Sequence, residues 1–196
     1  RPLAGARLPM GVPELDAMLG GGLSQGYSLL VAGPSGSGKS LLAAAFLAEG
    51  ARQGDNGVLV VFEQQPQRSR IPALAALIAS GQVGVVDSRA PDLSIDEILL
   101  LLIAEIERLG ATRVVIDSLS AFELALAPTF REDFRESLSR MVVALAATGV
   151  TVLMASELED RYTDLRFSPY GTAFMPDAII VQRYIEVDSR LRPPDV

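Results

Sequence analysis

The sequence predicts an α/β fold in which a mainly parallel sheet is flanked by helices on both faces. Apolar runs of strand length alternate along the chain with segments of helical periodicity, which is typical of α/β proteins. Hydrophobicity within those runs is continuous rather than alternating, as expected for strands that are covered on both faces. A glycine-rich phosphate-binding pattern follows the first long strand, which is the usual context of such a loop. We expect residues 1–196 to form a single domain.

Each element is predicted from its own pattern. Strands are expected at residues 27–32, 58–62, 83–86, 113–117, 150–155 and 178–184. Helices are expected between them, at residues 38–52, 66–80, 95–109 and 130–147. Asp92 and Ser94 offer N-cap chemistry for the third helix, and Gly110 and Gly149 end the third and fourth helices. The polar stretch at residues 157–176 is long for a plain connection, and such loops are often functional.

Composition excludes several kinds of chemistry. The chain has no cysteine and no histidine, so disulfides, thiol nucleophiles, Cys/His zinc sites and histidine bases are excluded, and any general base must be a carboxylate. The formal net charge is −7, whereas nucleic-acid binders usually show a basic surplus. The longest apolar run, at residues 98–104, is shorter than the roughly 20 residues that span a bilayer. The first residues do not match a signal segment, and we expect a cytoplasmic protein.

The phosphate-binding pattern reads GPSGSGKS and matches G-x-x-x-x-G-K-[ST]. Its glycines let backbone N–H groups turn toward phosphate oxygens, and the following helix adds the positive end of its dipole. Lys39, the only lysine among 17 basic residues, is predicted to reach the outer phosphates, while the Ser40 hydroxyl is predicted to ligate Mg²⁺. The expected nucleotide-binding residues are consecutive in the chain: Gly33, Pro34, Ser35, Gly36, Ser37, Gly38, Lys39, Ser40 and Leu41.

Three acidic residues stand at the carboxyl ends of predicted strands, where functional groups collect in a parallel sheet. They are Glu63, Asp117 and Glu157. Asp117 is predicted to act on Mg²⁺, directly or through water, with capping of the next helix as the alternative. Glu63 is predicted to be the general base for the attacking water, with a solvated strand end as the alternative. Glu157 either senses the terminal phosphate together with Ser156 or begins a loop.

Seven ordered motifs resemble the KaiC family of RecA-like ATPases over essentially the whole chain. They are GVPELD from Gly11, LGGGL from Leu19, GPSGSGKS from Gly33, VLVVFE from Val58, RVVIDSLSAF from Arg113, TVLMASE from Thr151 and PDAIIVQRYIE from Pro176. The resemblance implies a RecA-type core in which another strand separates the Asp117 strand from the phosphate-loop strand. It also implies ring-shaped hexamers with ATP bound between subunits. We further expect Mg²⁺ as the metal cofactor and an unidentified protein partner.

The chain departs from the family pattern in two places. The family typically carries two adjacent glutamates where this chain has Glu63 and Gln64, so a like-charged neighbour that would tune the pKa of the base is missing. Family members also continue into a segment whose lysine and arginine reach the neighbouring subunit's nucleotide. Arg190 and Arg192 lie near those positions but not on them.

Four functions remain open from the sequence. The first is a KaiC-like module with slow, Mg-dependent ATP hydrolysis coupled to assembly or to a partner. The second is a nucleotide-binding interaction module with little turnover, which Gln64 favours. A RecA/RadA-type recombination ATPase ranks lower because the sequence lacks a basic loop for DNA. A small-molecule kinase also ranks lower, because only Arg161 and Arg166 could form the lid over an acceptor substrate. Autokinase activity is not expected, since Ala173 and Phe174 stand where clock members carry phosphorylated hydroxyls.

Overall fold

The computed structural model describes residues 5–62, 71–87, 94–125, 134–157 and 176–183. Within these residues the strands are β1 (Arg7–Leu8), β2 (Leu23–Ser24), β3 (Ser28–Gly33), β4 (Gly57–Val61), β5 (Val83–Asp87), β6 (Arg113–Asp117), β7 (Thr151–Glu157) and β8 (Ala178–Val181). The helices are α1 (Pro13–Met18), α2 (Lys39–Gln53), α3 (Pro72–Ala79), α4 (Ile95–Leu109), α5 (Leu119–Ala125) and α6 (Phe134–Ala147).

Six of the strands form one sheet in the order β5-β4-β6-β7-β3-β8. Every neighbouring pair in this sheet is parallel, so the predicted parallel α/β architecture is confirmed. Strand β7 lies between β3 and β6, as the resemblance implies. Because all six strands run in the same direction, their carboxyl ends meet at one edge of the sheet, and the phosphate loop leaves β3 at that edge. Strands β1 and β2 pair separately and antiparallel.

The sheet separates two hydrophobic cores. Leu30 and Ile116 belong to the core that packs against α4, α5 and α6, whereas Val31 and Val115 belong to the core that packs against α2 and α3. Neighbouring residues of one strand therefore enter opposite cores, as period-two side-chain alternation requires. This arrangement confirms that the strands are covered on both faces. Among the described residues, no helix combines the length and the apolar character needed to cross a bilayer.

Most predicted elements are present, with shifted ends. Strand β6 has the predicted bounds, while β7 continues to Glu157 instead of ending at residue 155. Helix α4 also has the predicted bounds: Ser94 and Glu97 form a capping box, and Gly110 ends the helix with a φ of 59°. The helix predicted at 66–80 begins at Pro72 and ends at Ala79, because Ile71 is its extended N-cap residue; residues 66–70 lie outside the described residues. The helix predicted at 130–147 is described from Phe134 onward. Helices α1 and α5 and strands β1 and β2 were not predicted.

A buried arginine holds the amino-terminal segment and α2 at the end of the sheet opposite the phosphate loop. Arg113, the first residue of β6, is fully buried and donates from Nη1 to the carbonyl oxygens of Pro9 (2.7 Å) and Phe46 (3.0 Å). Its guanidinium carbon lies 4.7 Å from the centre of the Phe46 ring, a cation–π contact. Asp55 lies 3.7 Å from Arg113 Nε. These contacts hold the middle of α2 and the amino-terminal segment at the first residue of β6, which lies at the end of the sheet away from the phosphate loop.

Candidate functional site

The loop that joins β3 to α2 depends on its glycines. Gly36 and Gly38 have φ angles of 79° and 98°, which fall in the left-handed region that favours glycine. Gly33 is needed for a different reason, because a Cβ atom there would lie 2.7 Å from Ser37 Oγ and 2.9 Å from the carbonyl oxygen of Gln182. A side chain at any of these positions would strain or displace the loop. The conformation is therefore set by the pattern that the sequence shows.

The loop leads directly into the amino terminus of α2. Gly38 is the N-cap residue and provides no side-chain hydrogen bond to the first turn, and α2 then runs for 15 residues. The first N–H groups of a helix lack intrahelical partners, and together with the helix dipole they form a site for an anion. Lys39, Ser40 and Leu41 are the first three residues of this helix, so their backbone N–H groups lie at that site. The donor set fits the phosphate chain of a nucleotide.

Lys39 lies within the loop itself. Its Nζ atom donates to the carbonyl oxygens of Gly33 (2.8 Å) and Pro34 (2.7 Å), and the residue is only 8% exposed. Burial lowers the pKa of Lys39, while the negative charges of Glu157 and then Asp117 oppose that shift. An ammonium group has three N–H donors, and these two bonds use two of them. The lysine is therefore held in the loop, beside two carboxylates and next to the helix terminus.

Asp117 and Ser40 are in direct contact. Ser40 Oγ donates to Asp117 Oδ2 at 2.8 Å, which joins the first turn of α2 to the carboxyl end of β6. The alternative role for Asp117, as the cap of the next helix, is filled by another residue: the N–H of Ala121 donates to Ser118 Oγ at 3.2 Å. Hydroxyl and carboxylate oxygens are the hard donors that Mg²⁺ prefers. Ser40 and Asp117 together thus fit one side of a magnesium site.

The metal site would be completed by other ligands. Among the described residues, no group of three or more His, Cys, Asp or Glu side chains could hold a metal ion. Mg²⁺ usually keeps several waters and takes one or two carboxylates together with substrate phosphates, rather than an all-protein cage. A hydroxyl and a carboxylate beside a phosphate-binding loop are consistent with that preference.

Glu157 ends β7 beside the loop. Its register partner in β3 is Gly33, and its backbone N–H donates to Ser120 Oγ at 3.2 Å. Of the acidic residues that the structure describes, Glu157 has the largest effect on the pKa of Lys39, ahead of Asp117. The expectation that Ser156 acts with Glu157 is wrong, because successive side chains of a strand point to opposite faces. Ser156 is fully buried, and its hydroxyl has no hydrogen-bond partner among the described residues.

Glu63, the predicted general base, lies outside the described residues. The structure does describe the strand that leads to it. Strand β4 ends at Val61, whose register partner in β6 is Asp117. The chain therefore leaves β4 beside the carboxylate that contacts Ser40.

Two further residues contact this site, and sequence reasoning gave neither a role. Gln182 follows β8; its Oε1 atom accepts from Ser37 Oγ at 3.2 Å, and its N–H donates to the carbonyl oxygen of Ala32 at 2.8 Å. Ser120 is the partner of Glu157 described above. Both residues stand inside motifs that the sequence showed, but the contacts join segments far apart in the chain. Spacing alone could not reveal them.

Comparison with known proteins gives consistent results. A family model described as "ATPase: KaiC" matches residues 8–192. The chain is 33% identical over 202 residues to the circadian clock protein KaiC3 of Synechocystis sp., which covers 95% of this chain and 39% of that protein. It is also 33% identical over 205 residues to the circadian clock oscillator protein KaiC of Synechococcus elongatus, with 95% and 38% covered. The chain thus spans less than half the length of these curated relatives.

A solved structure is similar as well. The crystal structure of a KaiC-like protein from the hyperthermophilic archaeon Pyrococcus horikoshii OT3 matches with a TM-score of 0.79. Sequence identity to that protein is 26%, and the match covers 94% of this chain and 84% of the other. The likeness therefore extends over nearly the whole length of both chains.

Proposed function

Because this chain belongs to the KaiC family of ATPases, we propose that it binds Mg-ATP at the phosphate loop and hydrolyses it slowly in the cytoplasm. The nucleotide state controls assembly of the chain or its contact with a partner protein. The observation that carries the proposal is the 2.8 Å hydrogen bond between Ser40 and Asp117. It brings the two oxygen donors expected for Mg²⁺ together at the helix terminus that suits a phosphate.

Each part of the site has a role in binding. Backbone N–H groups of residues 35–41 surround the phosphates, and the α2 dipole favours their negative charge. Lys39 contacts the outer phosphates from its position inside the loop, and Ser40 and Asp117 hold the metal. Mg²⁺ held by Ser40 and Asp117 would neutralise negative charge on the phosphates of the bound nucleotide.

Hydrolysis requires a group that takes a proton from water. Water attacks the γ-phosphorus, its proton passes to the Glu63 carboxylate, and the bond to the leaving ADP oxygen breaks. The pairing of Val61 with Asp117 supports this role, because the strand that leads to Glu63 ends beside the metal-binding carboxylate. Gln64 replaces the second glutamate of the family pattern, so no adjacent carboxylate raises the pKa of the base. Slow turnover is the expected consequence.

A nucleotide-binding module with little turnover is the second candidate, and Gln64 is the observation that favours it. Incubation of the purified chain with γ-labelled ATP and Mg²⁺ separates the two. We expect Mg-dependent release of phosphate and no phosphate on the protein by intact-mass analysis. ATP binding without any release would favour the second candidate, and stoichiometric labelling of the chain would identify an autokinase.

Asp117→Asn is expected to remove most of the gain in ATP affinity that Mg²⁺ provides. The amide has no negative charge for the metal, and disturbing a metal site commonly costs about 10- to 100-fold in affinity. Calorimetric titration with ATP, in Mg²⁺ and in EDTA, measures the effect. Asp87→Asn is the matched control, because Asp87 also ends a strand but lies in β5, two positions away in the sheet. An Asp117→Asn variant with the full Mg²⁺ effect would remove Asp117 from the metal site.

ATP is expected to promote self-association of the chain. Leu41 is 64% exposed although it lies in the first turn of α2, directly beside the loop, and a second copy would cover it while completing the nucleotide site. Light scattering should show a larger mass with Mg-ATP than without, up to the hexameric ring that the family resemblance implies. Lys39→Ala serves as the control that should not respond. A constant monomer mass across a wide ATP range at high protein concentration contradicts the expectation.

A further inference from the structure

The short helix α5 is linked to the carboxyl ends of three neighbouring strands. It begins two residues after Asp117, the end of β6. Ser120 in its first turn accepts the N–H of Glu157 at the end of β7. Phe122 stacks on Phe62, which follows β4; the ring centroids are 4.4 Å apart and the planes differ by 12°. Helix α5 thus bridges the neighbouring strands β4, β6 and β7 on the face opposite α2.

Phe122 is the centre of an aromatic cluster. It is fully buried, and the ring of Phe134 at the start of α6 meets it edge-to-face with centroids 5.4 Å apart. Stacked and edge-to-face pairs have preferred geometries, so Phe122, which Phe134 holds from its other side, defines the position of the Phe62 ring. Phe62 immediately precedes Glu63 in the chain. The cluster therefore determines where the chain leaves the sheet on its way to that carboxylate.

Ser120 positions the end of β7 through a hydrogen bond. The 3.2 Å bond holds the backbone of Glu157, the last residue of the strand, against α5. Glu157 pairs in register with Gly33, whose carbonyl oxygen accepts from Lys39 Nζ at 2.8 Å. The start of α5 is itself fixed by the Ser118 cap, so Ser120 belongs to an anchored turn. The end of β7 is consequently placed relative to the end of β6.

We infer that α5 is a positioning element for hydrolysis, in which Phe122 orients the chain that carries Glu63 and Ser120 holds Glu157 beside Lys39. The inference rests on the proposed function and adds residues that do not touch the nucleotide. Misplacement of a reacting group by about 1 Å can cost on the order of 10²-fold in rate. Loss of either contact should therefore lower turnover while ATP affinity stays nearly constant.

Phe122→Leu tests the aromatic contact, with Phe46→Leu as the matched control. Both phenylalanines are fully buried, but Phe46 lies in the other core, in the middle of α2. We expect Phe122→Leu to lower kcat about 10-fold or more with KM changed less than about twofold, the pattern of a loss confined to the transition state. Phe46→Leu should lower the Tm about as much as Phe122→Leu does. Its kcat should stay within about twofold of the parent value when both variants are measured well below their Tm. Equal loss of kcat in the two variants would overturn the role of Phe122.

Ser120→Ala tests the hydrogen bond, and Ser120→Thr should restore it because threonine keeps the hydroxyl. Ser80→Ala removes a hydroxyl elsewhere: Ser80 Oγ donates to the carbonyl oxygen of Leu77 at the end of α3. We expect Ser120→Ala to lower kcat about threefold to 10-fold without a matching change in KM, and the other two variants to stay near the parent rate. Parent-like turnover in Ser120→Ala would overturn the role of Ser120.

Hydrogen exchange gives a readout that does not depend on activity. The Glu157 amide should exchange at least about threefold faster in Ser120→Ala than in the parent, because a protecting bond is lost. The amides of Val61 and Phe62 should exchange faster in Phe122→Leu but not in Phe46→Leu. Unchanged exchange in both α5 variants would overturn the inference itself. A parent chain that binds no ATP would instead overturn the proposed function, and the exchange data alone would then decide whether α5 holds the strand ends.

Discussion

Lys39→Ala is expected to weaken Mg-ATP binding about 100-fold or more. Lys39 has one N–H donor that its bonds to Gly33 and Pro34 do not use, and a charge-assisted hydrogen bond from it to a phosphate oxygen is worth about 1.5–3 kcal/mol. Since about 1.4 kcal/mol corresponds to a tenfold change in affinity, the upper end of that range, together with the loss of a positive charge beside the phosphates, accounts for the predicted effect. No other lysine in the sequence can replace it. Isothermal titration calorimetry with ATP and Mg²⁺ measures the change directly.

The same substitution should leave the chain folded. Lys39 belongs to neither hydrophobic core, and alanine favours the helix that it begins. Alanine loses the bonds to Gly33 and Pro34, but it also removes a charged group whose pKa is lowered by burial, so the two effects oppose each other. Circular dichroism and thermal unfolding should be close to those of the parent. ATP affinity equal to that of the parent in a folded Lys39→Ala variant would contradict the assignment of the phosphate loop.

Glu63→Gln should retain ATP binding and lower turnover by about 10²- to 10⁴-fold, the usual contribution of a general base. Glutamine has nearly the same shape as glutamate but cannot accept a proton. The chain contains neither histidine nor cysteine, so no imidazole or thiolate can take over the proton transfer. Phosphate release under single-turnover conditions, together with calorimetric ATP affinity, separates the chemical step from binding.

Two companion variants sharpen the interpretation of Glu63→Gln. Gln64→Ala changes the next residue without removing a carboxylate, and we expect its turnover to stay within about threefold of the parent, as for a residue with no proton-transfer role. Glu157→Gln examines the acid at the end of β7, whose negative charge acts on Lys39. If Glu63→Gln hydrolyses ATP at the parent rate while Glu157→Gln does not, the base is Glu157 and the assignment of Glu63 is wrong.

The sequence predicted the elements whose signals are local. Helix α4 has strong signals at both ends, since Ser94 and Glu97 form a capping box and Gly110 takes a left-handed conformation. Strand β6 is a continuous apolar run closed by Asp117, and its bounds were predicted correctly. The phosphate loop is local as well, because eight consecutive residues define its glycines, lysine and hydroxyl. In these three cases, the residues that determine the structure are close together in the chain and also form the pattern that predicts it.

Elements that depend on tertiary contacts could not be predicted in the same way. Helix α5 has only seven residues, too few for a helical period to stand out, and it is stabilised by the burial of Phe122 against Phe62 and Phe134. The hydrogen bond between Ser120 and Glu157 joins residues that are 37 positions apart in the chain. The hydrogen bond between Ser37 and Gln182 joins residues that are 145 positions apart. The role expected for Ser156 was wrong because it ignored the alternation of side chains along β7. Sequence therefore predicted the binding loop better than the surroundings that position it.

A single-turnover experiment tests the central proposal most directly. Labelled ATP is mixed with Mg²⁺ and an excess of protein, and both bound ATP and released phosphate are followed in the parent, Lys39→Ala and Glu63→Gln chains. We predict that the parent binds ATP and converts it slowly, that Glu63→Gln binds ATP and retains it uncleaved, and that Lys39→Ala does neither. Equal binding and equal phosphate release in all three chains would contradict the proposal that this loop and this carboxylate form an ATPase site.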